Sequence, residues 1–333
     1  MRRGRGRWGL ALAATLLTVG AAYPALGPRL VARDPGEVLR SSGWKSARSA
    51  GEEDRVRHIV EAFFTGFNTM VLEGDGPWVR HRCEALGPLF KPFCFEGSAA
   101  GYLPRGYFRW GHGIATAEEA LDSMDPDHRL LHYVGLGVWA GLRDGAGHEA
   151  ATGIADEIRD RRHRSLVWNG FGFARAALSQ DRGVNESGPA PCRELDDEDA
   201  APCAHGYGRG LWFRYLGDEE GGLLACGPDD DPLQIACITG IGLASTFVRP
   251  DRLDRALEAG NRLPRLQKEA FRQGAQAALL VRHQSDAAYL ETSIENLAPP
   301  QRDEARQLLA TALACYRSTI ERVTFYDDFM ACR

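Results

Sequence analysis

The sequence predicts an all-α protein made of helical-hairpin repeats of about 35 residues, which form a solenoid or a closed α/α array stapled by disulfides. Three observations lead to this fold class. Glycines recur at a nearly constant step, apolar residues recur at helical spacing, and most cysteines keep a fixed distance from those glycines. A unit of this length holds two helices and their turns, as in the helical-hairpin solenoids.

The glycine step is the strongest of these observations. Seven similar stretches, among them HYVGLGVWA, VWNGFGFARAA and CAHGYGRGLWF, each have a glycine followed two or three residues later by a small residue. Successive glycines lie 31, 38, 35, 36, 34 and 34 residues apart, which is too regular for chance even among 38 glycines. They are Gly66, Gly97, Gly135, Gly170, Gly206, Gly240 and Gly274.

A glycine inside a helix costs about 1 kcal/mol relative to alanine, so its repeated use needs a reason. One interpretation is packing, because a missing side chain lets a neighbouring helix approach closely. The alternative is a glycine- and aromatic-lined groove that admits a flat ligand. The residues that would line this groove are Gly170, Phe171, Gly172, Phe173, Gly206, Gly208, Trp212, Phe213, Gly240 and Gly242.

Helical periodicity surrounds the glycines. Stretches such as EDRVRHIVEAFFTGF and LPRLQKEAFRQGAQAALLVRH place apolar residues three and four positions apart. Thr116 with Glu119 has the spacing of a capping box, and Pro250 and Pro300 suit the first turn of a helix. Residues 299–333 keep the helical pattern without a central glycine, so we expect C-terminal capping helices there.

The N-terminus predicts export. Residues 1–26 contain four arginines followed by an apolar run, which is the pattern of a signal peptide. The run at 8–26 also has the length of a membrane anchor. Both alternatives place the remainder at the periplasmic or extracytoplasmic face of a membrane. Residues 27–50 form a polar linker, and 51–333 a single α-helical repeat domain.

The cysteines keep the phase of the repeat. All eight follow the apolar run, and an even number in an exported chain is typical of disulfides. Three repeats carry one cysteine three residues before the glycine and another eleven residues further upstream. We therefore expect each pair to clip the loop before a helix to that helix's first turns, and the last two cysteines to join. The predicted disulfides are Cys83–Cys94, Cys192–Cys203, Cys226–Cys237 and Cys315–Cys332.

The acidic runs DDED and DDD inside two of these pairs have two interpretations. They lack the alternating acids, central glycine and distal glutamate of an EF-hand loop. Weak calcium binding between them stays open, but solvated loop charge is the simpler explanation, and we predict neither a metal site nor a cofactor. The net charge of −5 becomes −9 without the four N-terminal arginines, which argues against nucleic acid as a partner.

Polar residues recur near the repeat glycines and are the candidates for binding or catalysis. An acid, an amide, an imidazole and a guanidinium in an apolar groove could hold a ligand or move protons. The structural alternative is that each caps or bridges neighbouring helices. Thr65 and Thr239 share the position directly before the glycine. The candidates are Glu96, Asn169, His205 and Arg209.

The chain resembles a family of proteins with a domain of unknown function that are encoded in enediyne biosynthetic clusters. The likeness covers residues 50–315, follows the pattern "GYGF", "G-x-GR-x-LWF" and "G-x-GLA-x-TY", and is most specific at LWF. The matching residues are Gly170, Phe171, Gly172, Phe173, Gly206, Gly208, Arg209, Leu211, Trp212, Phe213, Gly240, Gly242, Leu243 and Ala244, with Phe247 near the family's tyrosine.

The resemblance implies two kinds of partner, an UnbV-like protein with an ASPIC domain and an UnbU-like, Rnf-related membrane protein. We therefore expect an accessory protein of a membrane-associated biosynthetic or redox cassette, which binds a lipophilic, polyene-like intermediate or a cassette partner. The alternative is an enzyme that rearranges or cyclises such an intermediate. No catalytic residue is implied by the resemblance.

Overall fold

The computed structural model describes residues 50–72, 76–87, 90–109, 129–143, 148–177, 188–215, 218–227, 231–248 and 252–319. Within these ranges every regular element is a helix and none is a strand, which confirms the all-α class. The helices are α1 (Ala50–Leu72), α2 (Gly76–Glu84), α3 (Lys91–Arg109), α4 (Arg129–Arg143), α5 (Glu149–Glu157), α6 (Arg161–Ala177), a 3-10 turn (Ala190–Cys192), α7 (Asp197–Arg214), α8 (Glu219–Cys226), α9 (Pro232–Val248), α10 (Leu253–Asn261), α11 (Arg265–Glu295) and α12 (Pro299–Thr319).

The described helices fall into a long and a short class, which have different places in the fold. The seven periodic glycines lie in seven long helices, α1, α3, α4, α6, α7, α9 and α11, which contact one another in chain order. Four short helices, α2, α5, α8 and α10, lie between long ones along the chain. The glycine step therefore marks a row of seven long helices that contact one another in chain order, which we call the glycine row.

Neighbouring long helices run parallel. An added Cβ on Gly97 would lie 1.9 Å from the Phe63 carbonyl oxygen, and one on Gly101 would lie 2.5 Å from that of Phe67. A step of four residues towards the C-terminus of α3 thus corresponds to a step of four residues towards the C-terminus of α1, so the two helices are parallel. Parallel neighbours need a return segment between them, and α2, α5, α8 and α10 lie in four of these connections.

The glycines allow the backbones of the long helices to touch. An added Cβ on Gly206 would lie 1.8 Å from the Asn169 carbonyl oxygen on α6, and one on Gly208 would lie 1.8 Å from that of Cys237 on α9. Two glycines two residues apart on α7 thus face the preceding and the following helix. No side chain fits at such a distance, so the packing interpretation accounts for these glycines.

The three predicted cysteine pairs with eleven-residue separation lie at bonding distance. The S–S distances are 2.02 Å for Cys83–Cys94, 2.04 Å for Cys192–Cys203 and 1.97 Å for Cys226–Cys237. Each upstream cysteine lies in α2, the 3-10 turn or α8 rather than in a loop, so the bond clips a helical segment to the first turns of the next long helix. In the predicted Cys315–Cys332 bond, Cys332 lies outside the described residues.

The acids of the second cysteine pair do not lie in a loop, contrary to the prediction. Residues 197–199 form the first turn of α7, where negative charge is favourable because the helix dipole is positive. Glu198 lies 3.4 Å from Arg161 and Asp199 lies 3.9 Å from Arg164, both on the first turn of α6. The acids therefore balance arginines that sit at the unfavourable end of the preceding helix.

The DDD run also contains a helix cap. Asp231 Oδ1 accepts hydrogen bonds from the backbone amides of Leu233 at 2.8 Å and Gln234 at 3.1 Å, at the start of α9. Its Oδ2 accepts one from Arg193 at 2.6 Å. Burial alone would raise the pKa of Asp231, but these hydrogen bonds outweigh it and the pKa lies below its usual value.

Replacing Asp231 by alanine is expected to lower the free energy of unfolding by about 1 kcal/mol, because two amides at the start of α9 lose their acceptor. The loss should be present at neutral pH and shrink as pH falls through the pKa of the folded state, where the wild-type carboxylate is protonated. Urea unfolding at several pH values measures both. Asp231→Asn, which keeps an acceptor oxygen, is the control and should lose less.

A second apolar cluster lies at the C-terminal end of the described chain. It joins α10, α11 and α12 through residues that include Leu257, Leu290 and Leu308. α12 contacts α11, and α11 continues to Glu295, well past the segment around its glycine. The predicted capping segment 299–333 lies only in part within the described residues, so the cap stays a prediction. The N-terminal predictions for 1–26 and 27–49, and the capping sites at Thr116 and Pro250, lie outside the described residues. None of the described helices is long and apolar enough to span a membrane.

Candidate functional site

The four polar candidates meet at one place, which we call the polar network: Glu96, Asn169, His205 and Arg209. Glu96 lies on α3, Asn169 on α6, and the other two lie one turn apart on α7. The first three occupy the position directly before a repeat glycine, so the packing of the long helices brings them to the same level.

Arg209 is the centre of the polar network. Its Nη1 donates to Asn169 Oδ1 at 2.6 Å, and its Nη2 donates to Glu96 Oε1 at 3.3 Å. The ion pair is deeply placed, with the Arg209 side chain 13 % and the Glu96 side chain 5 % exposed. The ion pair links two residues that lie 113 positions apart in the sequence, and it connects α3 with α7, which are not neighbours in the glycine row.

The hydrogen bonds also define the state of His205. Because a guanidinium only donates, Asn169 presents its oxygen to Arg209 and its amide nitrogen to the other side. That nitrogen lies 2.7 Å from His205 Nδ1 and 3.3 Å from the Pro202 carbonyl oxygen, to which it donates. His205 Nδ1 is therefore an acceptor, and the neutral ring carries its proton on Nε2.

Burial moves two pKa values of the polar network in opposite directions. Burial raises the pKa of Glu96 above its usual value, although the charge and hydrogen bond of Arg209 counteract part of that rise. Burial, and then the Arg209 charge, lower the pKa of His205 to about 3. The imidazole is thus neutral at physiological pH.

His205 makes stability depend on pH. Its pKa is about 3 when folded against 6.5 for the free side chain, so between these values the unfolded chain binds more protons. As pH falls through this window the wild-type protein loses up to about 1.4 kcal/mol of stability per pH unit from this residue. His205→Gln should lose that part of the slope in urea unfolding between pH 3.5 and 6.5, roughly the window set by the two pKa values. Thr239→Val, a buried change without a titrating group, should keep it.

Aromatic side chains lie beside the polar network and form what we call the aromatic cluster: Phe93, Phe173, Phe213 and Phe247. Phe213 contacts Phe173 and Phe93 edge-on, with ring centroids 5.4 and 5.7 Å apart, and Phe93 lies 6.2 Å from Phe247. The Arg209 guanidinium lies over Phe173 at 5.4 Å from its centroid. Four helices, α3, α6, α7 and α9, thus contribute to one largely buried aromatic cluster next to the ion pair.

The predicted groove residues separate into two groups. All four predicted aromatic residues are buried in the same hydrophobic core; Phe173 and Phe213 also belong to the aromatic cluster, whereas Phe171 and Trp212 do not. The predicted glycines face neighbouring backbones at 1.8 to 2.2 Å from an added Cβ, and packing explains them without a ligand. These glycines are Gly170, Gly172, Gly206, Gly208, Gly240 and Gly242.

Phe93 and Phe247 are members of the site that were not among the predicted site residues. A signal was available, because Phe93 lies four residues before its repeat glycine and Phe213 and Phe247 each lie seven after theirs. Those offsets fall on the same helix face as the position before the glycine. Thr65 and Thr239 share that position but donate to their own helix, to the Glu61 and Ile235 carbonyl oxygens at 2.8 and 3.0 Å.

The site combines a neutralised ion pair, a neutral imidazole and the aromatic cluster. Within the described residues no group of three or more histidine, cysteine or acidic side chains is arranged to hold a metal ion. The polar network can form hydrogen bonds with a polar group of a ligand, and the aromatic cluster can contact the apolar part of that ligand. Alternatively, Glu96 can transfer a proton.

Comparison with known proteins gives one match. Neither the curated proteins nor the solved structures contain a chain similar to this one. A family model described as "Protein of unknown function (DUF1702)" matches residues 26–329. This range covers the glycine row, the polar network and the aromatic cluster. The chain therefore belongs to the DUF1702 family of proteins of unknown function.

Proposed function

We propose that the protein is an exported accessory protein of a membrane-associated biosynthetic or redox cassette, which holds a lipophilic intermediate or a cassette partner. In this proposal the parallel long helices form a solenoid of helical hairpins, and its inner face is the binding surface. The polyene-like character of the ligand and the UnbV-like and UnbU-like partners come from the resemblance to enediyne-cluster proteins.

One observation carries the proposal: the aromatic cluster and the polar network adjoin, and four different long helices contribute to them. An apolar surface with a few polar groups at one edge is the usual composition of a small-molecule site. Arg209, Phe173 and Phe247 are its members with the most remaining exposure. The three disulfides suit an oxidising compartment, which supports export.

The test is deletion of the gene, with comparison of the metabolites that mutant and wild-type strains accumulate. We expect a lipophilic intermediate to accumulate in the deletion strain and to disappear when the wild-type gene is restored. Phe213→Leu should restore it poorly, whereas Leu308→Ala, a core change between α11 and α12, is the control for lost stability and should restore it fully. An unchanged metabolite profile in the deletion strain contradicts the proposal.

A second candidate function is catalysis, since Glu96 and His205 have pKa values shifted in opposite directions at one site. A buried carboxyl with a raised pKa can donate a proton, and titratable groups with shifted pKa values cluster at functional sites. Arg209→Ala and His205→Ala distinguish the two functions. Loss of product with folding and partner binding intact favours the enzyme; normal product from both variants removes its best residues.

A further inference from the structure

The charges around the polar network add up to zero. Arg209 is paired with Glu96, Asn169 is an amide, and His205 accepts a hydrogen bond at Nδ1 as a neutral ring. The depressed pKa of His205 agrees with that state. The polar network therefore has hydrogen-bonding capacity without net charge.

A second guanidinium, that of Arg282, lies against the aromatic cluster and is covered. Arg282 is 2 % exposed, its Nε donates to the Phe247 carbonyl oxygen at 2.8 Å, and its charge lies over the Phe247 ring at 4.1 Å from the centroid. Phe247 thus shields this cation. Arg209, with 13 % of its side chain exposed, is the cation that a molecule on the aromatic cluster would meet.

Arg209 can still take a neutral acceptor. A guanidinium has five N–H donors, and the two hydrogen bonds to Asn169 and Glu96 use only some of them. An incoming carboxylate or phosphate would add a negative charge next to Glu96 and compete for the same cation. Burying a charge without its own counter-ion is costly, whereas a carbonyl or hydroxyl oxygen brings no such cost.

We infer that the ligand is an uncharged, largely apolar small molecule whose neutral oxygen accepts a hydrogen bond from Arg209, and that the Glu96–Arg209 pair selects against anionic lipophiles. This inference rests on the binding form of the proposed function. It adds a selectivity role for Glu96, which positions and neutralises Arg209 rather than contacting the apolar part of the ligand.

The experiment compares a conjugated polyene acid with its isosteric neutral amide. We would titrate the full chain with cis-parinaric acid and with cis-parinaramide at pH 8, following the fluorescence of the bound polyene. The wild-type protein should bind the amide at least tenfold more tightly than the carboxylate. Glu96→Gln, which leaves the Arg209 charge uncompensated, should shift that preference at least tenfold toward the carboxylate.

Glu220→Gln is the matched control, because Glu220 pairs with Arg262 at 2.9 Å on the exposed surface. It should leave the preference unchanged. Equal binding of both probes by the wild-type protein, or tighter binding of the carboxylate, would overturn the inference while the proposed binding function survives. Binding of neither probe would overturn both. The wild-type comparison needs no variant, so the test holds even where Glu96→Gln fails to fold.

Discussion

Gly206→Ala is expected to lower the free energy of unfolding by at least about 3 kcal/mol, the upper end of what overpacking costs. The added Cβ would lie 1.8 Å from the Asn169 carbonyl oxygen and 2.9 Å from its Cα, so the backbones of α6 and α7 must separate. No flexible side chain is available to move aside. Asn169 also belongs to the polar network, and separation of these helices should disturb its hydrogen bonds.

Gly153→Ala is the matched control, since the same substitution at this exposed position of α5 meets no atom within 4 Å. Alanine is a better helix former than glycine, so this variant should be about 0.5–1 kcal/mol more stable than wild type. Urea unfolding of both variants measures the contrast. Similar stability of the two variants would mean that the close approach of α6 and α7 is not a requirement of the fold.

The glycine step predicted the long helices because one physical cause, backbone contact between parallel neighbours, acts at every repeat. Glu96, Asn169 and His205 share the position before a repeat glycine, which is the sequence signal that singled them out. The sequence could not predict that Arg209 reaches Glu96, because that hydrogen bond spans 113 residues and joins α3 to α7, which are not neighbours in chain order. Such a contact depends on the packing of whole helices and leaves no local sequence signal.

α7 begins inside the segment between Cys192 and Cys203, where the sequence predicts a loop. Asp196 and the three acids after it are a signal for a helix N-terminus, but Pro202 is equally typical of a loop. The helix tolerates Pro202 near its start, and the carbonyl of this residue accepts the Asn169 hydrogen bond. Proline in the first turns of a helix and proline in a closed loop have the same local sequence, so tertiary contacts decide between them.

Arg209→Met is expected to lower the free energy of unfolding by about 3–5 kcal/mol, because it leaves the Glu96 carboxylate buried without its cation. Glu96 is 4 % exposed as a whole residue, so water cannot replace the lost partner. The double variant Glu96→Leu/Arg209→Met removes both charges and should be close to wild-type stability. The difference between the sum of the single effects and the double effect is the coupling between the two residues.

The exposed pair Arg262–Glu220 provides the control cycle, since both side chains are more than half exposed. Its coupling should be no more than about 1 kcal/mol, because solvent screens the charges. Urea unfolding at pH 7.5 and at high salt measures both cycles, and only the surface coupling should fall as salt rises. Equal coupling free energies for the two pairs would mean that Glu96 and Arg209 are as solvated as the surface pair, despite their burial in the structure. A large buried coupling, with the double variant stable yet unable to prefer the neutral amide over the carboxylate, would assign the pair to ligand selection rather than to stability.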